Sequence, residues 1–185
     1  MVVVPIIVLV GAGVALFGFD RPIAGAAVGD CAAANRSATT ITYVLTRCGS
    51  TSATLTVLQV IDGGGNCRDV AGATRAAVAT DGDSQRTICL GPIGLDPAAA
   101  VNIAQVGDCL AGPAGQQHRV PCTSPDATSK VLKRIEDLST TEVSTACDRV
   151  PDATGVLPLQ WEGEDGTGGS ASRYQTDVVL CLGAA

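Results

Sequence analysis

Polar and apolar residues interleave along two neighbouring stretches, Thr39–Arg47 and Thr51–Ile61, both rich in Thr, Val, Ile, Leu and Tyr and bounded by Gly or Ser. Strand side chains alternate between faces, so this pattern predicts a pair of adjacent antiparallel strands. Asp62-Gly63-Gly64-Gly65-Asn66 predicts a turn, Asn66 is placed to cap a short helix from Cys67 to about Thr74, and Arg86–Leu90 predicts a closing strand. The same order then returns. Strands are expected over Arg119–Cys122 and Thr128–Leu138, a short helix over about Thr145–Val150, and a last strand over Thr176–Leu182. Ahead of all these lies a different pattern, Val2–Phe19, which carries no charge and is followed by Asp20-Arg21-Pro22.

The returning order has a returning sequence. Val28-Gly29-Asp30-Cys31 recurs as Val106-Gly107-Asp108-Cys109, and Ala53-Thr54-x-x-Val57-Leu58 after Cys48 recurs as Ala127-Thr128-x-x-Val131-Leu132 after Cys122. Cys67-x-x-Val70-x-x-Ala73-Thr74 matches Cys147-x-x-Val150-x-x-Ala153-Thr154, and each copy closes on cysteine, Leu and Gly at Cys89–Gly91 and Cys181–Gly183. Four blocks repeated in one order describe a tandem duplication, with eight cysteines in two sets of four. Within each set the order of blocks and the nearness of the first two cysteines favour Cys31–Cys48, Cys67–Cys89, Cys109–Cys122 and Cys147–Cys181, although four cysteines allow three pairings. Units of roughly 70–80 residues bury a modest core, so cross-links are the expected supplement; closing a loop the size of Cys31–Cys48 is worth about 3 kcal/mol. No C-x-x-C or Cys/His zinc spacing occurs, which points to an oxidising compartment.

The uncharged run changes the predicted topology. As a helix it reaches roughly 27 Å, close to the hydrocarbon core of a bilayer, and Gly11 with Ala15 forms a small-residue face for helix packing. A secretory signal is the rival, with Ala24-Gly25-Ala26 as cleavage site, but the basic leading region is missing. A dinucleotide-binding turn at Gly11-Ala12-Gly13 fails because Leu16 stands where the third glycine belongs. The expected fold class is therefore α+β: a transmembrane helix over 1–21, disulfide unit 1 over 22–91, a linker over 92–104 and disulfide unit 2 over 105–185, each unit β-rich with one short helix. The bulk of the chain is expected on the extracytoplasmic side of the cell membrane as a single-pass protein.

Charge and composition narrow the chemistry. A net charge of −6 with 12 scattered Lys and Arg excludes a nucleic-acid surface, and an aromatic share of 3% leaves few stacking platforms. His118 is the single histidine and stands in a polar stretch expected to join two strands, so no His-based triad or metal centre is expected. Asp81-Gly82-Asp83-Ser84 opens like a calcium loop but lacks the later ligands. Asp30 and Asp108, repeated before the first cysteine of each unit, are expected to accept backbone hydrogen bonds and hold a turn. Glu162–Ser170 reads as an acidic mobile loop; Tyr43, Tyr174 and Trp161 read as anchors in a core or interface, with Trp161 the candidate for a protein contact. No catalytic residue, cofactor or metal site is assigned.

On the V-G-D-C start, the A-T-x-x-V-L line and the closing L-C-L-G, residues 26–91 and 104–183 resemble the LppU-like extracytoplasmic proteins of actinobacteria. Gly107-Asp108-Cys109 and Val120-Pro121-Cys122 are more distantly similar to the septum-formation domain; the first copy has Arg47 where the second has Pro121. The resemblance implies an anchored envelope protein without a shared catalytic site. Two functions follow as expectations. One is an accessory subunit of an integral membrane protein complex, similar to the small single-span subunits of actinobacterial respiratory cytochrome supercomplexes. The alternative is a free-standing envelope module that binds a wall polymer, lipid or solute between its units.

Overall fold

The structure is a computed structural model that describes residues 21–37, 40–81, 83–138, 142–164 and 176–185. Its strands are β1 (Arg21–Pro22), β2 (Cys31–Arg36), β3 (Ile41–Thr46), β4 (Leu55–Asp62), β5 (Arg75–Asp81), β6 (Ser84–Pro92), β7 (Cys109–Ala111), β8 (His118–Val120), β9 (Ser129–Leu138), β10 (Gly155–Gln160), β11 (Glu162–Glu164) and β12 (Thr176–Ala184). They form two sheets, ordered β1-β3-β2-β4-β6-β5-β11 and β10-β12-β9-β7-β8. Setting aside β1 and β11, the first sheet runs β3-β2-β4-β6-β5. Substituting each strand's repeat equivalent gives β8-β7-β9-β12-β10, the order of the second sheet, so the duplicated sequence builds one topology twice.

The repeated motifs have repeated hydrogen-bond duties. Gly29 and Gly107, at φ +91° and +98°, allow the turn in which their N–H groups donate to Val57 O and Val131 O at 2.9 and 2.8 Å. Val57 and Val131 N–H return bonds to Asp30 O and Asp108 O, both at 2.8 Å. The glycine that closes each copy's C-L-G is required by close approach: a Cβ on Gly91 would collide with Gly72 O, and one on Gly183 would stand 3.0 Å from Asp152 O. Disulfides join Cys31–Cys48, Cys67–Cys89, Cys109–Cys122 and Cys147–Cys181, the pairs favoured by the spacing, and no cysteine is free. This fits an oxidising, extracytoplasmic compartment.

Each unit begins with a 3-10 turn, Ile23–Gly25 and Val101–Ile103, in which Ala26 and Ala104 N–H donate to Ile23 O and Val101 O at 3.0 Å. In unit 1 this turn touches both β3 and β5, the outer strands of the shared five, and so plugs the seam of a curled sheet. Ile23 and Ala26 are buried there with Leu45, Val57, Ile88 and Leu90, each large side chain contributing about 1.5–3 kcal/mol by leaving water. The second half of the expected linker 92–104 is thus the opening turn of unit 2.

The expected α+β class is corrected by this architecture. The described chain is built on strands, and its helical turns are three-residue 3-10 turns at Ile23–Gly25, Pro97–Ala99, Val101–Ile103 and Val143–Thr145. The short helices expected over Cys67–Thr74 and Thr145–Val150 are runs of turns: Val70 and Ala73 N–H bond three residues back, as do Val150 and Ala153. Gly72 at φ +83° and Asp152 at φ +62° turn left-handed at equivalent positions, which ends any right-handed helix. Asn66 Oδ1 accepts from Arg68 N–H at 3.3 Å, so the cap is real but heads a turn. The transmembrane helix expected over 1–21 lies outside the described residues apart from Arg21, which is in β1, and among the described residues no helix is long and apolar enough to cross a membrane. The two strands expected to be neighbours, β3 and β4, each pair with β2, which runs between them.

Candidate functional site

The two units are coupled by contacts that each needs residues from both. β10 ends at the edge of the second sheet, the chain turns at Trp161, and β11 joins the first sheet, parallel to β5, with Glu162, Gly163 and Glu164 opposite Arg75, Ala76 and Ala77. Trp161 is 8% exposed, and its Nε1–H donates to Ala73 O at 3.0 Å. One continuous cluster joins Cys67, Ala73 and Cys89 of unit 1 to Ala104, Leu110, Val131, Val178, Leu180 and Leu182 of unit 2.

A polar latch lies beside this apolar seam. Asn102, buried in the opening turn of unit 2, donates from Nδ2 to Arg68 O at 2.9 Å and Val70 O at 2.8 Å, and accepts from Gly72 N–H at 2.9 Å. Arg134, with its side chain 7% exposed, donates to Asn102 O at 2.7 Å, to Glu136 Oε1 at 2.8 Å and to Asp69 Oδ1 at 3.3 Å. A buried guanidinium is tolerable when paired in this way. The hydrogen bond from Arg134 holds the Glu136 carboxyl below its ordinary pKa against the opposing effect of burial, helped by the charges of Arg68 and Arg134. Unit 1 solves the same problem from another strand: Arg86 on β6 donates to Ala24 O at 2.9 Å and to Asp62 at 3.0 Å.

Between the units runs a groove of about 600 Å³. Unit 1 supplies one wall through Gly72–Arg75, with Pro92 and Leu95 at its rim; the hairpin Gly115–His118 of unit 2 supplies the other; the floor is Ala99–Asn102 with Leu157, Pro158, Leu159 and Trp161. The volume falls within the usual range of small-ligand sites, and the lining combines apolar residues with a set of polar ones, Thr74, Arg75, Asn102, Gln116, Gln117 and His118. The groove exists only because β10 and the opening turn of unit 2 are held against unit 1.

The residues singled out in the sequence scatter around this site. Trp161 belongs to the groove floor and is an intramolecular anchor. His118 is exposed at the start of β8, opposite Ala111, and lines the groove wall. Asp30 and Asp108 accept from Ala27 and Gln105 N–H at 3.0 and 2.8 Å, as turn-holding carboxylates do. Burial raises the pKa of Asp108, but the Gln105 N–H and the Arg119 guanidinium at 2.9 Å outweigh it and leave the carboxyl below its ordinary value. Asp81 and Ser84 face each other across the β5–β6 hairpin. Tyr43 is buried in the unit 1 core, and Glu162–Glu164, expected in a loop, form β11. Gly11, Ala15, residues 165–170 of the acidic loop and Tyr174 lie outside the described residues.

Sequence reasoning missed Asn102, Arg134, Leu157 and Leu159. Their signal was a difference between the copies. Asn102 stands where unit 1 has Ala24, and Leu157 and Leu159 stand where unit 1 has Ala77 and Ala79, substitutions that a fold already built by the first copy does not require. The chain matches no protein-family model, no curated protein and no solved structure.

Proposed function

We propose that this protein is a non-enzymatic, extracytoplasmic binding module that takes an apolar ligand in the groove between its two units. The observation that carries the reading is the groove itself, whose walls come from different units and whose floor contains Leu157, Leu159 and Trp161. The four disulfides and the resemblance of their framework to LppU-like envelope proteins support the location. The other expectation, an accessory subunit of a membrane complex, rests on the apolar run 2–19 and draws nothing from the described residues.

The test uses Nile red, an uncharged apolar dye, with Trp161 as the single tryptophan and hence an unambiguous donor for energy transfer. The full chain binds one dye, with enhanced dye emission and quenched tryptophan. Ala99→Phe, which fills the floor from the Pro97–Ala99 turn, weakens binding at least about tenfold, a change of about 1.4 kcal/mol. Unchanged dye emission, or full binding by Ala99→Phe, refutes the groove as the site.

A further inference from the structure

We propose that the groove's ligand is an extended apolar peptide segment of a partner polypeptide, added as a short strand to the outer edge of β10; this rests on the groove reading. The template is inside the molecule. In the first sheet β5 has β6 on one side and β11 on the other, so both its edges are paired. In the second sheet the equivalent strand, β10, has β12 on one side and is the last strand among the described residues. The groove opens beside Leu157–Leu159 of that strand. Unit 1 holds an added strand on this edge; in unit 2 a cleft begins at Leu157, the last residue of the equivalent register.

Three details of the edge fit a strand. The parallel register of β11 covers Arg75, Ala76 and Ala77, whose counterparts in β10 are Gly155, Val156 and Leu157. Pro158 follows at once. A proline lacks the backbone donor, so it limits pairing to the short register seen in unit 1 and protects the remaining edge from open-ended association. The counterpart residues also set the chemistry of the guest. β11, with two glutamates, lies on a strand that begins with Arg75, whereas the β10 register replaces that arginine by Gly155 and adds Val156, which is 39% exposed, and Leu157. An apolar peptide, read by main-chain hydrogen bonds and by alternate side chains on Leu157 and Trp161, matches that surface.

The probe is the peptide acetyl-Ser-Val-Leu-Val-Ser-amide, titrated against the full oxidised chain by Trp161 fluorescence, with two companions N-methylated at alternate residues in the two possible phases. Strand addition predicts saturable one-to-one binding by the parent, slowed amide exchange at Val156, whose N–H faces away from β12, and at least about a tenfold loss for one N-methylated phase but not the other. Equal binding of all three peptides overturns the proposal, because burial without main-chain pairing ignores N-methylation. Binding of dodecanol with no binding of the parent peptide also overturns it and makes the guest a lipid. In both cases the groove reading stands if Nile red binds, and it falls separately if the dye does not.

Discussion

Asp108 shows how a single residue in a repeated motif is tied to the fold. Its carboxylate accepts the Gln105 N–H and pairs with Arg119, while the equivalent Asp30 accepts from Ala27 and has Arg21 at 3.8 Å. Its aspartate-to-turn role was legible because the motif occurs twice; the arginine partner was not, because Arg119 replaces the buried Leu45 of unit 1. A carboxyl whose pKa is lowered on folding stabilises the protein above the unfolded-state value of about 3.9, and that stabilisation is lost as the pH falls through the lower folded-state value. Asp108→Asn is therefore expected to cost about 1–2 kcal/mol at neutral pH and progressively less as the pH falls below the unfolded-state value. Urea unfolding of both proteins across this range checks it, and a pH-independent difference would mean that the charge of Asp108 plays no part.

At the scale of elements, the opening turn of unit 2 combines a seal with a latch. Ala24 shows that the turn forms without a polar side chain, so Asn102→Ala should leave it intact while leaving Arg68 O, Val70 O and Gly72 N–H without their partner. Loss of this buried set costs about 2–4 kcal/mol. Amide exchange at Gly72 should accelerate with the loss, and an unchanged rate would show that the latch does not hold the units. Which strands could be read in advance follows from their composition. β3, β4, β9 and β12 carry Val, Ile, Leu and Thr and were legible; β2 (Cys-Ala-Ala-Ala-Asn-Arg) and β5 (Arg-Ala-Ala-Val-Ala-Thr-Asp) were not, since alanine favours helix on intrinsic propensity. Ala32 and Ala77 are wholly buried in the unit 1 core, where the equivalent positions of unit 2 carry Leu110 and Leu157. Inserting β2 between β3 and β4 is a long-range choice that no local pattern specifies.

For the whole molecule, the Cys67–Cys89 bridge and Trp161 share one apolar cluster with the core of unit 2, so the two units should unfold together. Replacing both Cys67 and Cys89 by Ala is expected to cost about 3 kcal/mol through the unfolded chain alone. Far-UV circular dichroism and Trp161 fluorescence should still report a single coincident denaturant transition at a lower midpoint. Separate midpoints would show two independent domains. The amino-acid sequence by itself determined the duplication, the grouping of the cysteines into two sets with a favoured pairing in each, and the turns around Asp30 and Asp108, because cysteine spacing and motif repetition are properties of the chain read in order. Only the tertiary structure decided that the expected helices are turns, that β11 crosses to the sheet of the other unit, that Asn102 and Arg134 lock the units and that a groove opens beside β10. Those outcomes depend on contacts between residues tens of positions apart, Trp161 with Ala73 and Asn102 with Arg68 among them. Burial, seam closure and hydrogen-bond satisfaction there outweigh local propensity.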